Sequence, residues 1–274
     1  SRGDANDPLL LQVLPVREES VLAPGYRHDP LHEADFMPVP GLLHKYHGRA
    51  LLTVTAACAI HCRYCFRRHF PYSDANPATT HWEQSVRYLA DHPDIHELIL
   101  SGGDPLSLTD ERLQQLTDQL VNLPHLRTLR IHTRMPVVLP ERIDDGLLGW
   151  IGKQAMKVVF VIHSNHPNEI DRQVADALQL LAESGVTLLN QSVLLRGIND
   201  DAKTLARLSE KLFAAGVLPY YLHQLDRVQG AAHFEVDDTR GRAVLEALRN
   251  RLPGYLVPRL VREICGESGK TPVY

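Results

Sequence analysis

Residues 158–185 read VVFVIHSNHPNEIDRQVADALQLLAESG and contain one complete strand–helix unit. The apolar, β-branched run Val158–His163 predicts a buried strand. Apolar residues at spacings of three and four predict a helix over Glu169–Ser184, and Gly185 is typical of a residue that ends a helix. The same order of elements recurs along the chain, so this unit predicts the fold class.

Working outward from this unit, five more apolar runs predict strands: Ala50–Thr55, Leu98–Leu100, Leu129–His132, Val186–Leu195 and Val217–Leu222. Helical patterns lie between several of them, at Trp82–Asp91, Asp110–Leu120 and Ala202–Ala215. A strand followed by a helix, repeated about six times, predicts an α/β protein with a parallel sheet. Because an eight-fold barrel usually needs ~250 residues plus loops, six units favour a partial (β/α)6 TIM-type barrel. A doubly wound sheet is the alternative.

The two ends of the chain differ in character. Residues 1–49 are rich in Pro and His and show no clear period, so we predict an irregular N-terminal arm that packs on the barrel. Residues 50–274 are predicted to form the barrel and a C-terminal lysine loop. Functional residues are expected on loops at the C-terminal ends of the strands.

The composition of the 274 residues excludes several classes of function. Hydrophobic residues make up 44% and charged residues 23%, as in a globular protein, and the net charge of -4 offers no basic excess for nucleic-acid binding. No apolar run reaches the ~18–20 residues of a membrane span, and no signal peptide is visible. The chain begins at Ser1 without Met, which suggests a fragment. Three of its four Cys are clustered, which predicts a reducing cytoplasm and a metal site rather than disulfides.

The clustered cysteines form the motif Cys58-Ala59-Ile60-His61-Cys62-Arg63-Tyr64-Cys65, directly after the first predicted strand. Three thiolates can hold three irons of a [4Fe–4S] cluster and leave the fourth iron open for a chelating ligand. A zinc site completed by His61 or His69 is the alternative. The C-x3-C-x2-C spacing at this place is typical of radical S-adenosylmethionine (SAM) enzymes, in which the open iron binds SAM. Tyr64, just before the last Cys, is then expected near the adenine.

A second motif, Ser101-Gly102-Gly103-Asp104-Pro105, follows the second predicted strand. The glycines Gly102 and Gly103 let the backbone approach a ligand closely, and Asp104 offers a carboxylate to an ammonium. In this position the motif resembles the segment that holds the SAM amino group. His132 and Arg134 end a later strand and are expected to contact SAM, with a purely structural role as the alternative.

A third motif is the C-terminal Gly266-Glu267-Ser268-Gly269-Lys270-Thr271-Pro272. It is not a phosphate-binding loop, because Ile264 stands where that motif requires Gly. A lysine on a Gly-rich loop suits a Schiff-base lysine. Spacing alone favours the alternative, a solvated lysine in the C-terminal tail.

Taken together, these motifs and several further segments resemble the lysine 2,3-aminomutase family over about residues 40–274. The segments are 43–46 with Arg49, 58–68, 101–106, 130–140, 190–195, 219–221 and 269–272. Residues 66–72 and 229–234 are most similar to the branch that supplies β-lysine for modification of translation elongation factor P. The resemblance implies an isomerase that moves the α-amino group of L-lysine to the β-carbon. It also implies an external one-electron reductant of flavodoxin or ferredoxin type, and it leaves open a homo-oligomer.

The resemblance implies pyridoxal 5'-phosphate (PLP) as a second cofactor, bound covalently by Lys270. It places four residues at the PLP phosphate: Lys45, Tyr46, Arg49 and Gln191. Lys45 stands where the family often has Arg. The reading of Lys270 as a tail lysine is thereby reversed.

The same resemblance assigns the lysine substrate. Arg67 falls at the position that pairs with the substrate carboxylate, and a planar guanidinium suits that role. Asp226 and Glu263 fall where carboxylates hold the side-chain ammonium, with Glu263 in place of Asp. Cys265 is expected to be a small buried residue rather than an iron ligand. Two alternatives remain: a radical SAM enzyme without PLP or with another amino acid, and a zinc-binding adaptor.

Overall fold

The computed structural model of the protein describes residues 3–73 and 79–274. Nine strands form one sheet in the order of the sequence. The strands are β1 (Leu42–Tyr46), β2 (Arg49–Thr55), β3 (Glu97–Gly102), β4 (Thr128–Thr133), β5 (Lys157–His163), β6 (Thr187–Val193), β7 (Leu218–His223), β8 (Arg259–Arg262) and β9 (Thr271–Pro272). Neighbours from β2 to β8 are parallel, whereas β1 and β9 are antiparallel additions at the two edges. Among the described strands β1 and β9 stay unpaired with each other, so the sheet is an open barrel.

Helices connect the parallel strands, as a right-handed βαβ arrangement requires. The connecting helices are α2 (Thr79–Asp91), α3 (Asp110–Leu120), α4 (Met135–Val138), α5 (Asp145–Gly152), α6 (Arg172–Glu183), α7 (Ala202–Ala214) and α8 (Asp238–Arg249), whereas α1 (Pro8–Leu11) lies before β1. Asp side chains cap four of the connecting helices by accepting from the backbone N–H three residues later. The caps are Asp144, Asp171, Asp201 and Asp237, at 2.8–3.0 Å.

The six strands predicted from apolar runs are all present as β2 to β7, which confirms the partial-barrel prediction. Gly185 and Gly216 follow α6 and α7 with φ of 83° and 81°, the left-handed conformation in which glycine ends a helix. The helix predicted over Glu169–Ser184 begins later, at Arg172. Asp171 caps this helix, so Glu169 belongs to a preceding 3-10 turn, Pro167–Glu169, and its side chain is free to point inward.

The main apolar core lies between the strands and the helices that cover them. Leu98, Leu129 and Phe160 on neighbouring strands are fully buried with Leu113 of α3 and Leu178 of α6. Along β4 and β6, residues that face this core alternate with less buried residues that line the cavity. No helix in the described ranges is long and apolar enough to cross a membrane.

The segment before the barrel is more ordered than its sequence predicts. The structure assigns strand β1 to residues 42–46, inside the segment read as irregular, and Leu43 of this strand pairs with Leu51 of β2. Before β1 the chain forms the short helix α1 and two 3-10 segments, Arg17–Ser20 and Glu33–Phe36. This part of the chain brings side chains to the C-terminal ends of the strands, where the predicted site lies.

Candidate active site

Every residue predicted to bind a cofactor or the substrate lines one cavity of about 730 Å³. The cavity runs along the interior of the barrel, from the first residues of the parallel strands, such as Arg49, to the loops at their C-terminal ends, where the fold class places functional residues. Its walls include the cysteine loop, the Ser-Gly-Gly-Asp segment and the C-terminal lysine. They are Lys45, Tyr46, Arg49, Cys58, Cys62, Tyr64, Cys65, Arg67, Gly102, Gly103, Asp104, His132, Arg134, Gln191, Asp226, Glu263 and Lys270.

The three clustered cysteines suit an iron–sulfur cluster better than a single ion. In the described part of the chain, no group of three or more His, Cys, Asp or Glu side chains is placed to hold one metal ion. Cluster ligands are arranged differently, because each thiolate binds its own iron atom. The Cys58 thiol is exposed. Desolvation raises the pKa of Cys65 to about 11, so this thiol keeps its proton unless a metal displaces it. The donor set therefore fits a [4Fe–4S] cluster with three protein ligands.

The two glycines of the second motif are needed for packing against the start of the cysteine loop. A Cβ on Gly103 would lie 2.2 Å from the carbonyl oxygen of Ala57, and one on Gly102 would lie 2.6 Å from that of Thr55. Gly102 also has φ of 117°, which side chains rarely adopt. The Gly103 N–H donates to the Thr55 carbonyl at 2.7 Å. These contacts fix the entry to the cysteine loop on the end of β3.

Asp104 has a full set of protein partners. Its buried carboxylate accepts from Thr133 Oγ1 at 2.6 Å and from the backbone N–H groups of Arg134 (2.7 Å), Met135 (3.1 Å) and Leu106 (3.1 Å). These bonds join the ends of β3 and β4. They account for the burial of Asp104 without a ligand, and an ammonium of SAM would have to share the carboxylate with them.

Arg134 lies between the cysteine loop and a buried carboxylate. Its Nη1 donates to Cys62 Sγ at 2.7 Å, and its Nη2 donates to Glu169 Oε1 at 2.5 Å and to Gln12 Oε1 at 3.0 Å. Glu169 also accepts from Ser164 Oγ at 2.7 Å and from two backbone N–H groups. Burial opposes ionisation of Glu169, but Arg134 and these hydrogen bonds outweigh it and lower its pKa. A guanidinium is thus held against the sulfur of Cys62.

Arg67 is buried and paired with the N-terminal arm. Its Nε and Nη2 donate to the two oxygens of Glu33 at 2.8 and 2.6 Å, and its Nη1 donates to Ser101 Oγ at 2.9 Å. The guanidinium lies over the Phe66 ring, with its carbon 4.8 Å from the ring centroid. The side chain is therefore rigidly placed on the wall of the cavity.

Lys270 lies at the other end of the sequence but meets the first strand through Glu263. The antiparallel pairing of β8 with β9 folds the C-terminal loop back, so that the Lys270 ammonium donates to Glu263 Oε2. Lys45 Nζ (3.0 Å) and Tyr46 Oη (2.8 Å) donate to Glu263 Oε1. Glu263 therefore already holds a lysine ammonium, which is the type of group it was predicted to bind in the substrate.

Burial shifts the pKa of two facing groups toward each other. It lowers the pKa of Lys270 to about 8, against the opposing pull of the Asp226 carboxylate. It raises the pKa of Asp226 to about 6, although Lys270 acts to lower it. A lysine that is readily deprotonated is the nucleophile that Schiff-base formation needs, so Lys270 and its surroundings fit PLP.

Three histidines line the same cavity in their neutral form. Burial lowers the pKa of His163 to about 4 and those of His132 and His223 well below the ordinary range. The buried Nε2 atoms of His132 and His223 have no hydrogen-bond partner among the described residues. Since a buried polar atom without a partner is costly, both atoms indicate a bound ligand in the cavity. Gln191 Nε2 lies 3.1 Å from His163 Nε2, between these strands.

Several of these site residues were outside the sequence prediction. Gln12, Glu33 and Glu169 contact Arg134 or Arg67, yet no motif or period marks them. One expectation was wrong: Cys265 is exposed rather than buried, because it lies on the loop that joins β8 to β9. Only the inward direction of Glu169 had a signal, the Asp171 cap that begins the helix after it.

Comparison with solved structures identifies the fold. A family model described as a 4Fe-4S single cluster domain matches residues 47–126, which contain the cysteine loop. SuiB of Streptococcus suis bound to S-adenosylmethionine is similar, with a TM-score of 0.55 at 12% identity over 81% of this chain and 52% of that one. A radical SAM methyltransferase from Sphaerobacter thermophilus has a TM-score of 0.58 at 15% identity, over 82% and 71%. The chain therefore has the open-barrel fold of these two proteins, with its three-cysteine loop inside the matched 4Fe-4S domain.

Comparison with curated relatives identifies the family of the chain. The L-lysine 2,3-aminomutase of Escherichia coli K12 is 52% identical over 99% of this chain and 79% of its own length, and that of Haemophilus influenzae is 51% identical over 98% and 80%. The L-lysine 2,3-aminomutase of Clostridium subterminale is 41% identical over 99% of this chain and 65% of its own length. The chain belongs to the lysine 2,3-aminomutase family. It is a radical SAM aminomutase, an isomerase whose small-molecule substrate is an amino acid. The predicted cofactors, a [4Fe–4S] cluster, SAM and PLP, agree with this membership.

Proposed function

We propose that this enzyme converts L-lysine to β-lysine with PLP held on Lys270. The observation that carries the proposal is the surroundings of Lys270, which lies between Asp226 and Glu263 in the same cavity as the three cysteines. Its lowered pKa supports a covalent role, and the two carboxylates beside it suit a second ammonium. The names of the curated relatives point to the same substrate.

The residues of the chain divide the work of binding. Arg67 receives the carboxylate of lysine, while Asp226 and Glu263 receive the side-chain ammonium. Fixing both ends of the substrate holds the α- and β-carbons at one place in the cavity, and such positioning is the main contribution of a protein to cofactor chemistry. Cofactors and substrate that fill the cavity also displace water from around reactive species.

Cofactor binding is assigned to three regions of the wall. Cys58, Cys62 and Cys65 hold the cluster; residues 64, 102–104, 132 and 134 contact SAM; Lys45, Tyr46, Arg49 and Gln191 hold the PLP phosphate. When bound, SAM supplies a radical after one-electron reduction, and PLP supplies a conjugated ring that delocalises an unpaired electron. An external flavodoxin or ferredoxin delivers the electron, and a reducing cytoplasm keeps the thiols available.

The destination of β-lysine is the modification of translation elongation factor P. This part of the proposal is supported by the resemblance of residues 66–72 and 229–234 to the corresponding branch of the family. It is tested by whether the purified product is accepted in that modification.

The central test is anaerobic reconstitution of the protein with iron, sulfide, SAM, PLP, a reductant and L-lysine. We expect β-lysine, identified by mass and chiral chromatography, and a borohydride-reducible PLP adduct that maps to Lys270. Lys270→Ala, reconstituted in parallel, should yield neither. Turnover without any Lys270 adduct would favour a radical SAM enzyme that does not use PLP, and one zinc without iron or sulfide would favour the adaptor.

A further inference from the structure

We propose that Glu33 is a positioning residue that presents Arg67 to the carboxylate of the amino-acid substrate. The inference rests on the proposed function, because it takes Arg67 as the substrate-carboxylate ligand. With this role for Glu33, the N-terminal arm contributes to the substrate site, although the barrel supplies the other substrate ligands.

The first argument is the use of the guanidinium edges. Nε and Nη2 of Arg67 donate to the two carboxylate oxygens of Glu33 at 2.8 and 2.6 Å, which is a bidentate pairing along one edge. Nη1 donates to Ser101 Oγ at 2.9 Å. The rings of Phe66 and Phe70 lie 4.8 and 5.9 Å from the guanidinium carbon. These contacts therefore fix one edge of the Arg67 guanidinium and one of its faces.

The second argument is that some N–H groups of the Arg67 guanidinium remain without a partner. It carries five N–H groups, and the three bonds above use one on each nitrogen. One N–H on Nη1 and one on Nη2 have no partner in the described ranges, and Arg67 lines the cavity. Two N–H groups on adjacent terminal nitrogens form the second fork of arginine, which also receives a carboxylate. Glu33 thus occupies the edge formed by Nε and Nη2, and one N–H on each terminal nitrogen remains to donate to a substrate carboxylate.

The third argument is that Glu33 is itself fixed before any substrate arrives. It begins the 3-10 segment Glu33–Phe36, and the Asp29 carboxylate accepts from the backbone N–H groups of Leu31 (3.3 Å) and Glu33 (3.1 Å). Leu31 is buried with only 4% of its surface exposed. The backbone of Arg27 exchanges two hydrogen bonds, of 2.9 and 2.8 Å, with the loop after β7.

These contacts give Glu33 two effects on substrate binding. It compensates the buried charge of Arg67 when the site is empty, and it keeps the planar fork in one orientation when the substrate enters. In a different arrangement, the substrate carboxylate would have to displace Glu33 from Arg67. Removing the Glu33 charge would then tighten lysine binding instead of weakening it.

The experiment compares lysine with cadaverine, which is lysine without its carboxylate. Enzyme reconstituted with cluster and PLP but without reductant is titrated with each amine, and the visible absorbance of bound PLP reports the Kd. We expect Glu33→Gln to weaken lysine binding by about tenfold or more and to change cadaverine binding by less than about twofold. Glu33→Asp, which keeps the charge, should restore part of the loss. Asp35→Asn, an exposed change on the same segment, should alter neither Kd.

Tighter lysine binding in Glu33→Gln, or equal weakening of both amines, overturns the proposal. So does unaltered enzyme that binds both amines equally well, since Arg67 then does not read the carboxylate. Turnover assays on the same preparations test the proposed function separately. Lysine that binds but yields no β-lysine contradicts that function, while the ratio of the two Kd values still decides the role of Glu33.

Discussion

Replacing Glu169 by Gln removes one partner of the buried ion pair with Arg134. Glu169 Oε2 accepts from Ser164 Oγ and the backbone N–H groups of Asn165 and His166, at 2.7, 2.5 and 3.0 Å. The Gln carbonyl can take over these three bonds. Its NH₂ group then faces Arg134 Nη2, so the guanidinium loses its counter-charge in a buried setting.

Removing one partner of such a pair typically costs about 3–5 kcal/mol, a large part of a total stability of roughly 5–15 kcal/mol. We therefore expect the free energy of unfolding of Glu169→Gln to fall by about that amount. Urea unfolding of cluster-free protein, followed by far-UV circular dichroism, measures it. Glu210→Gln, an exposed change on α7, is the matched control and should lose less than about 0.5 kcal/mol.

The pH dependence gives this prediction a second check. The folded-state pKa of Glu169 lies below its ordinary value, so its contribution is present above the ordinary carboxylate range and is lost as the pH falls through the folded pKa. The difference between Glu169→Gln and the unaltered protein should therefore shrink in acid. A loss below about 1 kcal/mol at neutral pH would refute the reasoning, because Arg134 would then be compensated without Glu169.

Three other predictions concern the cofactors and the substrate. Iron and labile sulfide should be lost in each of Cys58→Ala, Cys62→Ala and Cys65→Ala and kept in Cys265→Ala; a full iron count in Cys62→Ala would contradict the ligand assignment. Because burial lowers the pKa of Lys270 to about 8, PLP attachment trapped by borohydride should speed up as the pH rises through that value and then level off, whereas a flat profile would point to another lysine. Asp226→Asn should lose lysine turnover by roughly two to three decades while SAM and PLP still bind, measured by initial rates and binding titrations. An uncharged lysine analogue turned over as well as lysine by the unaltered enzyme would show that the carboxylates do not select the ammonium.

The parallel strands could be predicted because each carries apolar residues that pack under the helices, and β3 and β5 are buried along most of their length. Val158–His163, for example, predicts β5 to within one residue. Strand β1 escaped prediction because Leu42–Tyr46 is an antiparallel edge strand that contains His44 and Lys45. Helix α8 and strand β8, which complete the barrel after residue 222, also lay outside the predicted elements.

Some residues of the site could likewise be predicted from local sequence patterns, and others could not. Cysteine spacing, the Gly-Gly-Asp turn and the lysine loop are local patterns, so sequence alone singled them out, and the family resemblance added Arg67, Asp226 and Glu263. Glu33 and Gln12 could not be found, because their roles depend on contacts between distant parts of the chain. Only folding brings an aperiodic arm against the cysteine loop.

The hydrogen bond from Tyr46 to Glu263 joins residues 217 positions apart, and Gln12 reaches Arg134 across 122 positions. Contacts of such long range require closure of large loops, which slows folding. During synthesis the cysteine loop leaves the ribosome well before the segment that carries Glu263, which follows β8. The thiols therefore spend an early period without the wall that later encloses them, and the order of translation makes cluster insertion possible before the lysine end of the pocket has formed.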